Sequence, residues 1–150
     1  MQILSPFQKE IRMHLKHNLI VNLLDGGFFG LGLGFASFIT IIPLFVSQMT
    51  DSAILIGLIP AIHSMGWQLP QLPAAGWVSR MRRYKPAVLL MTINERIPFF
   101  GLAIIAWFFL GKNNPLALTL TFVMLIWQGL GGGFTANPWQ SMMAKIIPQK

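Results

Sequence analysis

Four long apolar stretches, separated by short polar links, dominate the pattern of the chain. They cover approximately residues 19–46, 52–78, 86–110 and 116–143. A helix needs about 20 apolar residues, at about 1.5 Å each, to cross a hydrocarbon core of about 30 Å, and every stretch is at least that long. Because links of a few residues turn the chain back at once, neighbouring spans must run in opposite directions. The pattern therefore predicts an all-α integral membrane protein with four antiparallel transmembrane helices.

Composition supports lipid as the solvent and narrows the chemistry. Hydrophobic residues make up 54% of the 150 and charged residues only 10%, whereas a soluble domain has about 25% charged residues. So few charges hardly cover the surface of a water-soluble globule of this size. The chain has no cysteine, and its three histidines lack metal-ligand spacing, so we predict no metal site and no cofactor. No nucleophile is paired with a base along the chain, and we expect no enzyme activity.

Lysine and arginine are distributed unequally between the two sides that alternating spans create. The N-terminal segment, the link between the second and third spans, and the C-terminus share one side, and they carry nine cations: Lys9, Arg12, Lys16, Arg80, Arg82, Arg83, Lys85, Lys145 and Lys150. The opposite side has Lys112. The positive-inside rule assigns the cation-rich side to the cytoplasm. We therefore expect both termini in the cytoplasm and the protein in a bacterial plasma (inner) membrane.

The two ends of the chain are predicted to lie outside the spans. Residues 1–18 form a basic segment whose apolar positions include four with helical spacing: Leu4, Phe7, Ile11 and Leu15. Such a segment can lie along the inner membrane surface, and residues 144–150 are expected to begin a cytoplasmic loop. A cleaved signal peptide is disfavoured, since the first stretch is far longer than a signal core of about 7–15 apolar residues.

The basic link SRMRRYKP, residues 79–86, resembles a loop motif of the major facilitator superfamily of secondary transporters. The family pattern is G-x-x-x-D-R-x-G-R-[RK], and aligning Arg80 with its first arginine places Arg83 on the second. Ser79 then stands where the family has aspartate, Lys85 comes one position after the final basic residue, and neither glycine is matched. The resemblance implies a cytoplasmic loop that contacts helix ends during alternating access. A simple topology signal is the alternative interpretation of the same cations.

The number and order of spans along the chain also resemble this family. Family members are built from six-helix halves that each contain inverted three-helix repeats, and this chain corresponds in layout to the first four helices. What the resemblance implies is a fragment of a secondary active transporter that moves a small solute by alternating access. Its expected partners are the lipid bilayer, a small-molecule solute, coupled protons and the remaining helices of a longer transporter, with no nucleic acid.

Three residues with a formal charge, Asp25, Glu95 and Arg96, fall inside the predicted spans, where such groups are costly and usually functional. Arg96 lies about 15 Å from the start of the third span and Asp25 about 9 Å from the start of the first. Glu95 projects about 100° away from Arg96 on the same helix, so Arg96 needs a partner on another helix. We predict an Asp25–Arg96 pair, with Asp25 or Glu95 as a proton carrier. The alternative is that Asp25 caps the first helix while Arg96 extends to the cytoplasmic interface.

Glycines recur in the first and fourth spans. Gly26, Gly30 and Gly34 are spaced by four residues, and Gly131 and Gly132 belong to a glycine cluster at similar depth in the fourth span. Small residues allow membrane helices to approach closely, so we predict that these glycines pack the first helix against the fourth. A phosphate-binding loop at GGFFGLGLG is disfavoured, because no strand precedes it and it lies at membrane depth.

Uncharged polar residues supply further candidates for a transport path. Gln68 and Gln71 share a face with Ser64 on a continuous second helix, and Gln128 precedes the glycines of the fourth span. The alternative for each is an ordinary interhelical hydrogen bond worth about 0.6 kcal/mol. The five tryptophans are interpreted as interfacial belts and packing residues.

Two other functions remain open at this point. A complete four-helix exporter that dimerises has the right number of spans, although the first span has no glutamate and the cation bias opposes insertion in both orientations. A non-transporting membrane module, acting as a scaffold or assembly partner, is compatible with every feature of the sequence. DNA binding through residues 80–85 is disfavoured, since a short link between two spans presents no helix to a groove.

Overall fold

A computed structural model describes residues 6–147 of the chain, and the side chains of Phe7 and Gln8 lie outside the description. These residues form six helices: α1 (Pro6–Phe35), α2 (Ile41–Ser47), α3 (Ala53–Gln68), α4 (Gln71–Val78), α5 (Lys85–Phe108) and α6 (Asn114–Ile146). No strand occurs within residues 6–147. The predictions that concern Leu4 and Lys150 fall outside the described residues.

Four helical segments are long and apolar enough to span a membrane, which indicates an integral membrane protein. They are Lys9–Phe35, Ala53–Val78, Lys85–Phe108 and Asn114–Ile146. The last three agree with the predicted spans to within a few residues at each end, because charged or turn-forming residues mark where those stretches stop.

The first span differs from the sequence prediction at both ends. Helix α1 begins at Pro6 and runs without interruption through the segment that was expected to lie separately on the membrane surface. Proline is well suited to a first helical turn, where its missing N–H has no partner to lose. The helix then ends at Phe35 instead of continuing to Val46.

Ser37 accounts for the break after α1. Its hydroxyl oxygen accepts hydrogen bonds from the backbone N–H groups of Ile39, at 3.4 Å, and Thr40, at 3.3 Å. Side-chain bonds of this kind give the backbone an alternative to the helix. The break contains no charged residue, so hydropathy alone does not reveal it, and the short α2 follows as a separate element.

The second span contains a smaller interruption between α3 and α4. Ser52 caps α3 by accepting a hydrogen bond from the N–H of Leu55 at 3.4 Å. At the other end of α3, Pro70 lacks the N–H that would continue the ladder. One residue later, the side chain of Gln71 donates to the carbonyl oxygen of Trp67 at 2.9 Å, and the chain resumes its path as α4.

The turn between α5 and α6 is built from local chemistry. Gly111 has a φ of 75°, in the left-handed region that favours glycine, and its N–H donates to Asn114 Oδ1 at 2.9 Å. Asn113 caps α6 by accepting from the N–H of Leu116 at 3.2 Å. The two helices are therefore adjacent and reverse direction within five residues, 109–113.

Contacts between helices show that chain direction alternates across the molecule. Along α5 and α6, Gly101 lies against Met124 and Glu95 against Gly131, so residue numbers run in opposite directions. Between α3 and α6 the numbers rise together, from His63 with Gln128 to Trp67 with Gly132. An up-down order of four spans predicts both relations.

Helix α6 is the centre of the fold. It packs along α5 on one side and along α3 and α4 on the other. Its buried positions include Ala117 and Leu125, which join a core cluster of α2, α3, α5 and α6 residues together with Phe38: Phe38, Ile42, Val46, Ile59, Leu102, Ile105, Ala117 and Leu125. Helix α1 lies at the periphery of this arrangement.

One end of the molecule, here named the basic end, gathers the N-terminal half of α1, the 79–84 link and the end of α6. Asn18 donates to the carbonyl oxygen of Ile146 at 3.5 Å, and the Lys145 ammonium lies 4.3 Å from the centre of the Tyr84 ring. Arg80, Arg82 and Arg83 belong to the same link and are exposed. The described cations that the sequence assigned to one side thus share one end of the structure.

Candidate functional site

An ion pair joins α1 to α5 in the interior of the predicted spans. Arg96 Nη2 lies 3.6 Å from Asp25 Oδ1, and the two side chains are 50% and 52% exposed. This is the contact that depth and helix geometry predicted. The alternative, in which Arg96 extends away to the cytoplasmic interface, is not the arrangement observed.

Glu95 faces in a different direction from Arg96 and is buried against α6. The residue is 3% exposed. A Cβ placed on Gly131 would lie 3.2 Å from the Cα of Glu95, and one placed on Gly132 would lie 3.1 Å from its Oε1. The two glycines therefore leave the room that this carboxyl group occupies.

One oxygen of this buried carboxyl group has no protein partner among residues 6–147. Glu95 Oε1 is buried and accepts no hydrogen bond there. The nearby hydroxyl of Thr135 donates to the carbonyl oxygen of Gly131 at 2.8 Å, and a hydroxyl has a single hydrogen to donate. An unsatisfied buried polar atom costs about 1–3 kcal/mol, so the site favours a group that would bind this oxygen.

All three ionisable residues line one cavity of about 200 Å³, here named the charged cavity. Its wall is formed by residues of α1, α3, α5 and α6 and includes Trp67, Trp139, Thr92 and Gln140. A second, larger groove of about 630 Å³ runs between α1 and α5 and is mainly apolar, with Phe29 and Phe99 in its wall. Asp25 and Arg96 line both, so the ion pair stands where the two spaces meet.

Two tryptophans of the charged cavity were not identified as site residues from the sequence. Trp67 lies with its six-membered ring against the backbone of α6, since a Cβ on Gly132 would come within 2.6 Å of its Cζ3. Trp139 faces the same cavity from α6. The belt interpretation suits Trp77 and Trp107, which are 50% and 80% exposed near helix ends. Trp67 lies midway along its span, away from either interface, and this position was the sequence signal that it is not a belt residue.

The predicted packing of α1 against α6 through glycines is wrong. A Cβ placed on Gly26, Gly30 or Gly34 would have nothing within 4 Å. The glycines of α6 are close-packed, but their neighbours belong to α3 and α5: Gly132 meets Trp67, and Gly131 meets Glu95. Sequence spacing identified glycines that allow close approach in α6 without identifying which helix approaches.

Gln128 is buried away from the charged cavity, in contact with α3. Its Oε1 lies 3.1 Å from His63 Nδ1, and the His63 ring stacks on Phe38 with centroids 3.8 Å apart. Gln128 Nε2 and the hydroxyl of Thr121 are buried without a hydrogen-bond partner in the described part of the chain. Thr121, Gln128 and Thr135 are seven residues apart and form a buried polar face of α6.

Gln68 and Gln71 do not form the continuous polar face that was expected of the second span. The interruption at Pro70 separates them, and Gln68 is exposed. The Gln71 side chain donates to the backbone carbonyl oxygen of Trp67. The backbone carbonyl oxygen of Gln71 accepts a hydrogen bond from Asn137 Nδ2 at 2.6 Å. Gln71 therefore stabilises the helix break, and it does so in contact with α6.

The link that carries the family-like motif has a compact backbone. Ser79 donates its hydroxyl to the carbonyl oxygen of Gly76 at 2.9 Å, and the N–H of Arg80 binds the carbonyl of Trp77 at 3.2 Å. Arg83 and Lys85 are exposed at the start of α5. The motif position Ser79 thus ends a helix, while the cations face outward at the basic end.

Comparison with known proteins found no family model, no curated protein and no solved structure that matches the chain. Within residues 6–147, no group of three or more His, Asp or Glu side chains is placed to hold a metal ion. The chemistry offered by the charged cavity is therefore that of two carboxyl groups, one guanidinium and two indole rings.

Proposed function

We propose that the chain is part of a secondary active transporter of the major facilitator type, and that the charged cavity is where its solute binds. One observation carries the proposal: Asp25, Glu95 and Arg96 converge on a cavity between helices that are long enough to span a membrane. Ionisable groups inside a membrane are costly and mark substrate, ion or proton paths. Transporter sites lie near the bilayer midplane between helices of this kind.

The proposed orientation places the basic end in the cytoplasm. The described cations of the N-terminal segment and the 79–84 link belong to this end, together with Lys85 and Lys145, and Lys112 lies in the turn at the opposite end. The positive-inside rule then assigns both termini to the cytoplasm of a bacterial inner membrane. Lys145, stacked on Tyr84, couples the link to the end of α6, which suits a loop that senses helix movement.

Each ionisable residue has a distinct proposed role. Asp25 and Arg96 form the only ion pair among residues 6–147, and this pair links α1 to α5. Glu95 is the group that exchanges a proton or binds solute, because one of its oxygens lacks a protein partner. A charge pair that opens and closes between helices provides a two-state element of the kind that alternating access requires.

Cysteine labelling tests the proposal directly, because the natural chain has no cysteine. Thr92→Cys and Gln140→Cys place single thiols in the wall of the charged cavity. The transporter that contains the chain, with any cysteine outside residues 1–150 replaced, is inserted into sealed vesicles, and a membrane-impermeant maleimide is added from one side at a time. We expect both cavity thiols to react from each side, since alternating access opens one cavity to two compartments in turn.

Two link positions serve as matched controls for the labelling. Arg82→Cys is expected to react only from the cytoplasmic side and Lys112→Cys only from the other, as both residues are exposed in their links. Cavity thiols that react from one side only, or from neither, would contradict alternating access. Labelling of Lys112→Cys from the cytoplasm would overturn the orientation.

A non-transporting assembly module is the second candidate, and the exposed surface of α1 favours it. None of the residues in the most apolar part of α1 is buried in the fold, so this helix is available to other membrane helices. The labelling experiment separates the two candidates. A module that only supports other proteins has no reason to admit a water-soluble reagent to the charged cavity from both sides.

A further inference from the structure

The charged cavity contains more negative than positive groups. Two carboxyl groups and one guanidinium line it. Arg96 is already paired with Asp25 at 3.6 Å, whereas Glu95 is 3% exposed and its Oε1 lacks a hydrogen-bond partner within residues 6–147. A carboxyl group buried without a partner must be neutralised, by a proton or by a cation, and a positively charged ligand would complete the cavity electrostatically.

Aromatic rings supply the second half of a cation site. Trp67, Trp139 and Phe29 line the charged cavity together with Glu95. Indole is the most effective of the aromatic side chains at attracting a cation to its face. The Trp67 ring is also fixed in place, because it packs against the backbone of α6 at Gly132. A rigid ring loses little conformational freedom when a ligand binds.

The size of the cavity limits the ligand. Its volume of about 200 Å³ is below the range of about 300–1,000 Å³ that is typical of sites for drug-sized molecules. An ammonium group with methyl substituents suits both walls, because its methyl groups contact the rings and its charge faces the carboxylate. A strongly hydrated metal ion would gain little from contact with the indole faces.

We propose that the charged cavity binds a small organic cation of the quaternary-ammonium class, with Glu95 as the counter-ion and Trp67 and Trp139 as the aromatic wall. The inference deepens the proposed function, since transport of such a cation rests on that function. Binding itself can be measured without transport.

A pair of probes that differ in charge tests the proposal. Choline and its neutral carbon analogue 3,3-dimethylbutan-1-ol have nearly the same shape. Each is titrated into the purified full chain in detergent micelles, with calorimetry and tryptophan fluorescence as readouts. We expect saturable choline binding that is at least about tenfold tighter than binding of the alcohol, because the cation alone interacts with the carboxylate and the ring faces. Equal affinity for the two probes, or no saturable choline binding, would overturn the proposal.

Variants assign the selectivity to residues. Glu95→Gln keeps the shape of the side chain and removes its charge, so the preference for choline over the alcohol should fall at least about threefold, to the part that the ring faces supply. Trp139→Leu should weaken choline binding about fivefold or more through loss of one ring face. Trp107→Leu is the control, since Trp107 is 80% exposed and outside the cavity, and it should bind choline as the parent does.

The outcome for Glu95 is informative whether or not that variant folds. Helix content and a single size-exclusion peak establish folding before each titration. If Glu95→Gln folds and retains the full preference for choline, Glu95 is not the counter-ion and the proposal is wrong. If it does not fold, the comparison of the two probes with the parent, Trp139→Leu and Trp107→Leu still decides whether an aromatic cation site exists.

Failure of this inference can be distinguished from failure of the transport proposal. Selective choline binding without labelling of Thr92→Cys and Gln140→Cys from both sides would leave a cation site in a protein that does not transport. Labelling from both sides without selective choline binding would leave a transporter whose solute belongs to another chemical class.

Discussion

Helices α1 and α6 are both glycine-rich and both long enough to span a membrane, yet the fold uses them in opposite ways. In the most apolar part of α6, 44% of the residues are buried, compared with 0% in α1. Glycines of α6 contact α3 and α5 at distances that a methyl group would fill, whereas the α1 glycines have nothing within 4 Å. Helix α1 makes its polar contacts at isolated points, among them the ion pair of Asp25 with Arg96.

The difference shows that a glycine motif has no fixed structural meaning in a membrane helix. Small residues permit close packing, but a second helix must be present at the right rotation and depth. Helix α6 lies between two such neighbours and becomes the core of the bundle. Helix α1 offers a similar surface at the periphery, where lipid or further helices would cover it.

The largest effect should come from adding a methyl group to the packed glycines. A Cβ on Gly133 would lie 2.6 Å from the carbonyl oxygen of Gly66 and 2.7 Å from that of Trp67, so the backbones of α3 and α6 must separate. We expect Gly133→Ala to lower the free energy of unfolding by about 1–3 kcal/mol or more, measured by SDS titration in mixed micelles.

Gly30→Ala is the matched control on α1. It meets no atom within 4 Å, and alanine is the better helix former, so the free energy of unfolding should stay constant or rise by up to about 1 kcal/mol. Equal losses in the two variants would remove the distinction between the helices.

The next effect concerns the buried polar face of α6. Gln128→Met keeps the length of the side chain but leaves His63 Nδ1 without the oxygen that lies 3.1 Å away. We expect a net loss of about 1 kcal/mol in the free energy of unfolding, measured by the same titration. The loss is this small because Met also removes the buried, unpaired Nε2 of Gln128. Gln68→Met should have little effect, as Gln68 is exposed. A neutral Gln128→Met would mean that the polar contact adds nothing to the packing of α6.

The ion pair should contribute less, because its N–O distance of 3.6 Å is long for a charge-assisted hydrogen bond. A double-mutant cycle on Asp25→Asn and Arg96→Gln is expected to give a coupling energy of about 0.6 kcal/mol, the average for polar contacts between membrane helices. Exchanging the charges, with Asp25→Arg and Arg96→Asp together, should recover the proposed transport activity that either single reversal removes. If the exchange restores nothing, the pair does not hold α1 to α5 in the active protein, and α1 is positioned in another way.

The smallest effect is expected at the basic end. Lys145→Met removes a cation that lies 4.3 Å from the centre of the Tyr84 ring, and exposed cation–π contacts contribute about 0.5–1 kcal/mol. The unfolding titration should show a loss near the lower figure, because Lys145 is exposed. Lys112→Met, at the opposite end, should leave the free energy of unfolding unchanged. Equal free energies of unfolding for the two variants would show that the contact between Lys145 and Tyr84 does not stabilise the end of α6.

Much of the fold was predictable because lipid imposes a length on each helix and charges mark where helices stop. Residues 52–78, 86–110 and 116–143 were expected as spans, and the structure has Ala53–Val78, Lys85–Phe108 and Asn114–Ile146. The first span was predicted less well. Its break at Ser37 depends on side-chain hydrogen bonds to the backbone, which leave no mark in hydropathy.

The charged cavity was predictable in part. The pair of Arg96 with Asp25 was predicted from the sequence, because few acids lie at the depth of Arg96 and an unpaired charge there is costly. Trp67 and Trp139 were assigned to belts and packing and not to a binding site, since their positions in the sequence do not reveal which way their rings face. The burial of Glu95 also depends on Gly131 and Gly132, and the contact between these residues joins helices separated by a turn.

The sequence by itself determined that the chain is helical, how many spans it has, where most of them begin and end, and which ionisable groups must find partners inside them. These properties follow from hydropathy, helix rise and the cost of burying charge, all of which act locally. Only the tertiary structure decided which helix became the core, which glycines were used and which side chains share the charged cavity. Those outcomes depend on the rotation of each helix about its axis, which is set by packing between segments distant in the chain.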